Sequence, residues 1–177
     1  ALSLRNELES GRQVGYLTLG DSMTYSTYGY LITALREIYP QLRHRTYAGI
    51  TSFAAIASHF DWPLGEGKER VLLLPCPEEM SALRADILTH NLVILMKIGR
   101  RLPQVLALLE ELGITENCVF AQRLGFAEER TSRSLADLPR DAEMGYLSTM
   151  LIRREAHQPR HQLPTRSLGE TLTEPTG

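Results

Sequence analysis

The chain has 177 residues, 43% of them hydrophobic, enough to bury a core in one or two small domains. Lys and Arg total 19 against 21 Asp and Glu, for a net charge of -2, so no overall field draws the chain to nucleic acid or an anionic membrane, and an anionic partner has to be held locally. The two cysteines, Cys76 and Cys118, lack Cys-x-x-Cys spacing, which argues against a zinc site or disulfide framework and fits a reducing cytoplasm; neither a membrane-length apolar run nor a secretion signal is readable, so the chain reads as soluble, with no membrane partner.

In chain order, ALSLRNELES reads as a helix that Gly11 ends, and because it starts without Met it reads as continuing something upstream. Strand patterns follow at 14–19 (VGYLTL), 44–47, 70–74, 92–97, 118–123 and 147–153. Helical patterns lie between them at 25–38, 52–59, 78–89, 102–112 and 130–137. This alternation predicts an α/β fold with largely buried sheets. The breaker-rich segment DWPLGEG at 61–67 marks a boundary between a domain at 1–65 and one at 66–154. From Glu155 the last 23 residues hold three prolines and no periodicity, and they read as a mobile tail at 155–177.

Within this pattern, LTLGDSMTYSTYGYL (17–31) runs from a strand through Gly20 and Asp21 toward a helix. A strand ending in Gly places backbone amides and a carboxylate at one sheet edge, where α/β folds bind ligands. Gly20 lets a ligand approach the main chain, and Asp21 is the candidate to accept hydrogen bonds from it; the plainer reading is that Asp21 or Ser22 caps the helix. A second bend, AGITS at 48–52, repeats the logic, with Thr51 and Ser52 opening the next helix. Two such helix starts suggest one shared crevice.

These segments, together with AGITSFAAIAS, LVILMKIGR at 92–100 and GYLSTMLIRR at 145–154, resemble the tetrapyrrole methylase family over residues 1–154. Within it they are most similar to the branch that methylates C-20 of the macrocycle in cobalamin biosynthesis. The family pattern has Pro where Ser22 and Ala48 stand here, which changes loop stiffness and leaves the polar groups alone. The resemblance implies a two-domain α/β methyltransferase that is not of the Rossmann type, with S-adenosylmethionine held between the domains. It also implies that the first domain is incomplete, because family members carry an upstream Gly-x-Gly-Pro-Gly-Asp loop, walling the macrocycle site, that does not occur in this sequence.

Carried over by motif, the cofactor contacts are Leu19, Gly20, Asp21 and Thr24 in the first loop and Thr51 and Ser52 in the second. Met96, Gln122, Arg123, Ser148 and Thr149 complete the other side. Without the resemblance, Met96 reads as a core methionine in an apolar strand. The implied substrate is a carboxylate-rich tetrapyrrole, precorrin-2 or cobalt-factor II, and Arg100, Arg101, Arg123 and Arg130 are the candidates to pair with its carboxylates. Surface solvation is the alternative role for these arginines. No Ser-His-Asp, metal-ligand or paired-carboxylate pattern is readable; His44, His59 and His90 are scattered, and His157 and His161 fall in the tail. Methyl transfer needs in-line alignment more than acid chemistry, so positioning carries the expected catalysis. The family also implies a homodimer. A sister methylase acting at another ring position, or a non-catalytic remnant, are the competing readings.

Overall fold

The computed structural model describes residues 1–136, 138–140 and 142–156. Five strands form one sheet: β1 (Val71–Pro75), β2 (Leu92–Met96), β3 (Cys118–Gln122), β4 (Arg130–Ser132) and β5 (Ser148–Arg153), in the spatial order β1-β2-β5-β3-β4. Strands β1 and β2 are parallel, while β5 runs antiparallel to both β2 and β3, and β4 antiparallel to β3. The last strand is therefore inserted between two earlier ones. A doubly wound dinucleotide fold has a mostly parallel sheet, whereas three of the four strand pairings here are antiparallel, so this is α/β architecture of another type.

Burial follows from that order. The three central strands are largely apolar, with residues hidden on both faces, whereas the edge strands β1 and β4 are partly exposed and β4 is only three residues long. The pleat sorts side chains by parity. Val93, Leu95, Cys118, Phe120, Met150 and Ile152 face one core with α4 (Met80–Thr89) and α5 (Leu102–Glu111), whose Leu83, Ile87, Leu102, Val105, Leu106 and Leu109 recur at helical spacing. On the opposite face, Leu92, Ile94, Val119, Ala121 and Leu151 pack under α3 (Ser52–His59), which contributes Phe53, Ile56 and Ala57, followed by Phe60. An apolar cluster thus crosses the boundary expected at 61–67.

Arg153 ties that crossing down. It is 2% exposed, and its guanidinium bonds Glu69 and the carbonyl of Pro63, each at 2.7 Å. Arg133 likewise donates to the carbonyl of Phe60 at 2.6 Å and lies over its ring. The sequence reading did not anticipate either arginine. Arg153 is nonetheless the single charge in its strand, directly after the apolar run Met150 to Ile152.

The N-terminal part is looser. Helix α1 (Leu2–Glu9) buries nothing and ends as expected at Gly11, whose φ of +79° turns the chain so that the Arg12 amide reaches back to the Glu7 carbonyl. Helix α2 (Tyr28–Ile38) buries Ile32 and Leu35. The strands expected at 14–19 and 44–47 are not formed; no ladder hydrogen bonds reach them among the described residues, and Leu17 and Tyr47 are exposed. The helix expected at 130–137 is also corrected. Residues 130–132 pair with β3 as β4, and Ser132 and Ser134 then use their hydroxyls on nearby backbone, which favours a turn over a helix. Asp137 and the tail from His157 onward, with His161, lie outside the described residues.

Candidate functional site

Antiparallel pairing places the C-terminal ends of β2 and β3 beside the start of β5: Met96 registers with Thr149, and Gln122 with Ser148. The residues just outside this sheet end adopt left-handed backbone, with φ of 52° at Lys97, 50° at Arg123 and 52° at Leu147. Such conformations are costly for non-glycine residues and concentrate where a site is being shaped. Helix α3 begins at the same end. Thr51 caps it by accepting from the Ala54 amide, and the hydroxyls of Ser52 and Thr149 meet at 3.0 Å. Thus Met96, Thr149, Thr51 and Ser52, scattered along the sequence, come together on the α3 face.

Parity divides the remaining candidates. Gln122 and Ser148 are buried and lie on the opposite face, where Gln122 Nε2 donates to the carbonyls of Glu143 and Tyr146 and Ser148 Oγ donates to that of Gly145. Their side chains hold the turn at 142–147 in place. That turn sits tightly on the β2 exit, since a Cβ on Gly145 would run into the carbonyl of Gly99. Counting alternate residues along each strand would have separated these two from Met96 and Thr149.

The first loop approaches from the α2 side. Gly20 has φ of +69°, as a glycine bend requires. Asp21 does not cap α2, whose N-cap is Thr27, six positions later. Its carboxylate instead accepts from the Met23 amide at 2.9 Å, the Thr24 hydroxyl at 3.0 Å and, in the second loop, the Gly49 amide at 3.0 Å. These hydrogen bonds, Gly49 foremost, hold its pKa below the ordinary carboxylate value. Tyr25, also left-handed at φ 50°, lies under the Lys97 ammonium at 5.7 Å, a contact between the first loop and the β2 exit that the sequence did not suggest. Leu19 is exposed.

The four candidate arginines are dispersed around the β2 and β3 exits. Arg100 is exposed, Arg101 pairs with Glu78 at 3.2 Å, Arg123 lies 3.9 Å from Glu128 and over the ring of Tyr146, and Arg130 donates to the Met144 sulfur at 2.9 Å. Both cysteines are free and buried; desolvation raises both thiol pKa values, so neither is an activated nucleophile. Among the described residues no group of three or more His, Cys, Asp or Glu could hold a metal ion, and no helix is long and apolar enough to cross a membrane.

The family model for tetrapyrrole (corrin/porphyrin) methylases matches residues 1–139. The chain belongs to the tetrapyrrole methylases. It is 30% identical over 160 residues to the cobalt-precorrin-2 C(20)-methyltransferase of Salmonella typhimurium, covering 88% of this chain and 64% of that protein. To the precorrin-2 C(20)-methyltransferase of a Sinorhizobium species it is 28% identical, covering 82% and 57% respectively. This tetrapyrrole methylase chain therefore spans somewhat under two thirds of the length of these relatives. Among solved structures, cobalt precorrin-4 methyltransferase superposes with a TM-score of 0.63 at 18% identity, over 85% of this chain and 68% of that one. The methyltransferase CobJ gives 0.60 at 20% identity, over 86% and 69%. These likenesses establish the fold and bear out the expectation of a non-Rossmann α/β protein.

Proposed function

We propose that the crevice at the sheet end binds S-adenosylmethionine and serves transfer of its methyl group to C-20 of precorrin-2 or cobalt-factor II in cobalamin biosynthesis. The observation that carries this reading is the meeting of Ser52 and Thr149 at 3.0 Å beside Met96, which joins the second glycine loop to the sheet. The donor set suits such a cofactor. Hydroxyls and open backbone at Gly20 can meet its ribose and amino-acid groups, and the half-buried Met96 gives an apolar wall for its adenine. When bound, the cofactor supplies an electrophilic methyl group on sulfur. The chain's own residues orient and exclude water: Leu19, Gly20, Thr24, Thr51, Ser52, Met96 and Thr149 line the crevice, while Gln122 and Ser148 hold its rear turn. Arg100, Arg101, Arg123 and Arg130 are the candidate cations for a carboxylate-rich macrocycle near the exits. The names of the curated relatives support the C-20 position over a sister activity.

Calorimetric titration of S-adenosylhomocysteine into the chain tests the cofactor reading: binding is expected, and Thr149→Val should weaken it. No heat of binding in the unmodified chain would sink the reading. Product analysis after incubation with metal-free or cobalt-containing macrocycle assigns the ring position and the preferred substrate; methylation at another carbon would favour a sister activity. Exposed Leu17, Leu19, Tyr30 and Ile50 support a homodimer built through the N-terminal part. Sedimentation that stays monomeric on concentration would count against that assembly.

A further inference from the structure

One side chain fastens the two glycine loops to each other. Asp21 Oδ1 is taken by the Met23 amide and the Thr24 hydroxyl within its own loop, and Oδ2 reaches the Gly49 amide, 28 residues away in sequence. The backbones are in contact at that point. A Cβ on Gly49 would run into the Gly20 carbonyl and come within 3.2 Å of the Asp21 Cα. Two residues beyond Gly49, Thr51 caps α3, and Ser52 then reaches Thr149. Displacing Gly49 therefore moves the hydroxyls that face the crevice.

We infer that Asp21 is a positioning residue whose carboxylate holds the second loop against the first, so that Thr51 and Ser52 present their hydroxyls correctly, with the carboxylate engaged by the loops and not by the ligand. The inference rests on reading the crevice as the cofactor site. Both carboxylate oxygens already have protein donors, and bonds to an ionised acceptor are roughly twice as strong as neutral ones. An asparagine offers one acceptor oxygen, so it can satisfy its own loop or Gly49, and its amide nitrogen then opposes a backbone N–H.

The test is a double-substitution cycle read by S-adenosylhomocysteine affinity in the 177-residue chain. Asp21→Asn removes the latch from the carboxylate side, and Gly49→Ala wedges the loops apart with the carboxylate intact. Each should weaken binding roughly tenfold, the scale of one charge-assisted hydrogen bond, and the double variant should be no weaker than the worse single one. Additive losses, or unchanged affinity in Asp21→Asn, would overturn the inference, because a direct ligand contact adds its loss to that of the loops. A second readout needs no ligand: hydrogen exchange at the Gly49 amide should quicken severalfold in Asp21→Asn. If the unmodified chain binds no cofactor, the functional reading fails, yet the exchange rate still decides the latch. An unchanged rate would show that Asp21 holds nothing in place.

Discussion

Strand β5 buries all six of its residues, whereas the comparably apolar segment VGYLTL at 14–19 leaves Leu17 93% exposed. The difference lies in neighbours. Strand β5 has β2 on one side and β3 on the other, with α3 covering one face and α4 and α5 the other. Residues 14–19 have no ladder partner among the described residues. An apolar, β-prone sequence becomes a strand when something satisfies its backbone and covers its side chains, because strand propensity mostly records packing. The proposed crevice lies between these two regimes, with one wall on the rigid sheet end and one on loops held by a few hydrogen bonds. Ligand-binding loops commonly belong to the less stable part of a fold.

The sharpest way to break the contrast is to attack the sheet side where it is charged. Arg153→Ala takes the guanidinium away from Glu69 and the Pro63 carbonyl, and losing one member of a buried pair costs about 3–5 kcal/mol. Urea unfolding reads this directly. A loss under about 1 kcal/mol would mean that the pair behaves as an exposed one. Arg153→Met should cost less, since the apolar stem keeps its packing while the charge is removed.

A matched pair of truncations compares the two regions themselves. Ile56→Ala removes a side chain that is 1% exposed, sealed between α3 and the sheet, and should cost about 3 kcal/mol. Ile32→Ala removes the same atoms from α2, where only Ile32 and Leu35 are buried, and should cost about half as much or less, because sparser packing relaxes around the lost volume. Equal losses would show that the N-terminal part is as tightly packed as the sheet, and the contrast would fall.

How far the sequence anticipated the molecule follows the same division. Strands β1, β2, β3 and β5 and helices α3, α4 and α5 were legible to within a residue or two, because their apolar runs and helical spacing match what covers them. Residues 14–19 and 44–47 carry the same local signal without the partners, and a local signal cannot report a missing neighbour. Insertion of β5 between β2 and β3 is a long-range event that no window of sequence contains. At the site, Thr51 and Ser52 were readable as a helix start, while Asp21 was readable as a ligand contact or a cap and not as a latch, because its partner Gly49 is remote in sequence. The left-handed Tyr25 explains why α2 begins at Tyr28 and not at 25.

Ser22 offers a smaller adjustment to the loose side. Its hydroxyl is buried with no hydrogen-bond partner among the described residues, at a position where the family pattern has proline. Ser22→Pro removes that unpartnered group and restricts the unfolded chain, so it should stabilise by about 0.5–1 kcal/mol. A fall in melting temperature would show that the local backbone cannot accept the ring.

The smallest expected effect concerns acid. Asp21 accepts hydrogen bonds from Gly49, Met23 and Thr24, which favour its ionised form and lower its pKa from the ordinary 3.8. The sign follows from linkage: a group whose folded pKa is depressed contributes above its unfolded pKa, and the contribution fades as pH falls through the folded value. Contact between the two loops should therefore persist at neutral and mildly acid pH and weaken only below 3.8. The sheet end, built on Ser52, Thr149 and apolar packing, has no such dependence of its own. Following the Gly49 amide by NMR during an acid titration should give a midpoint below 3.8, while the amide of Phe120, inside the β3–β5 ladder, stays unshifted over the same range. A Gly49 midpoint at or above 3.8 would mean that the carboxylate gains nothing from the second loop, and that the loops are held together by the glycine contact alone.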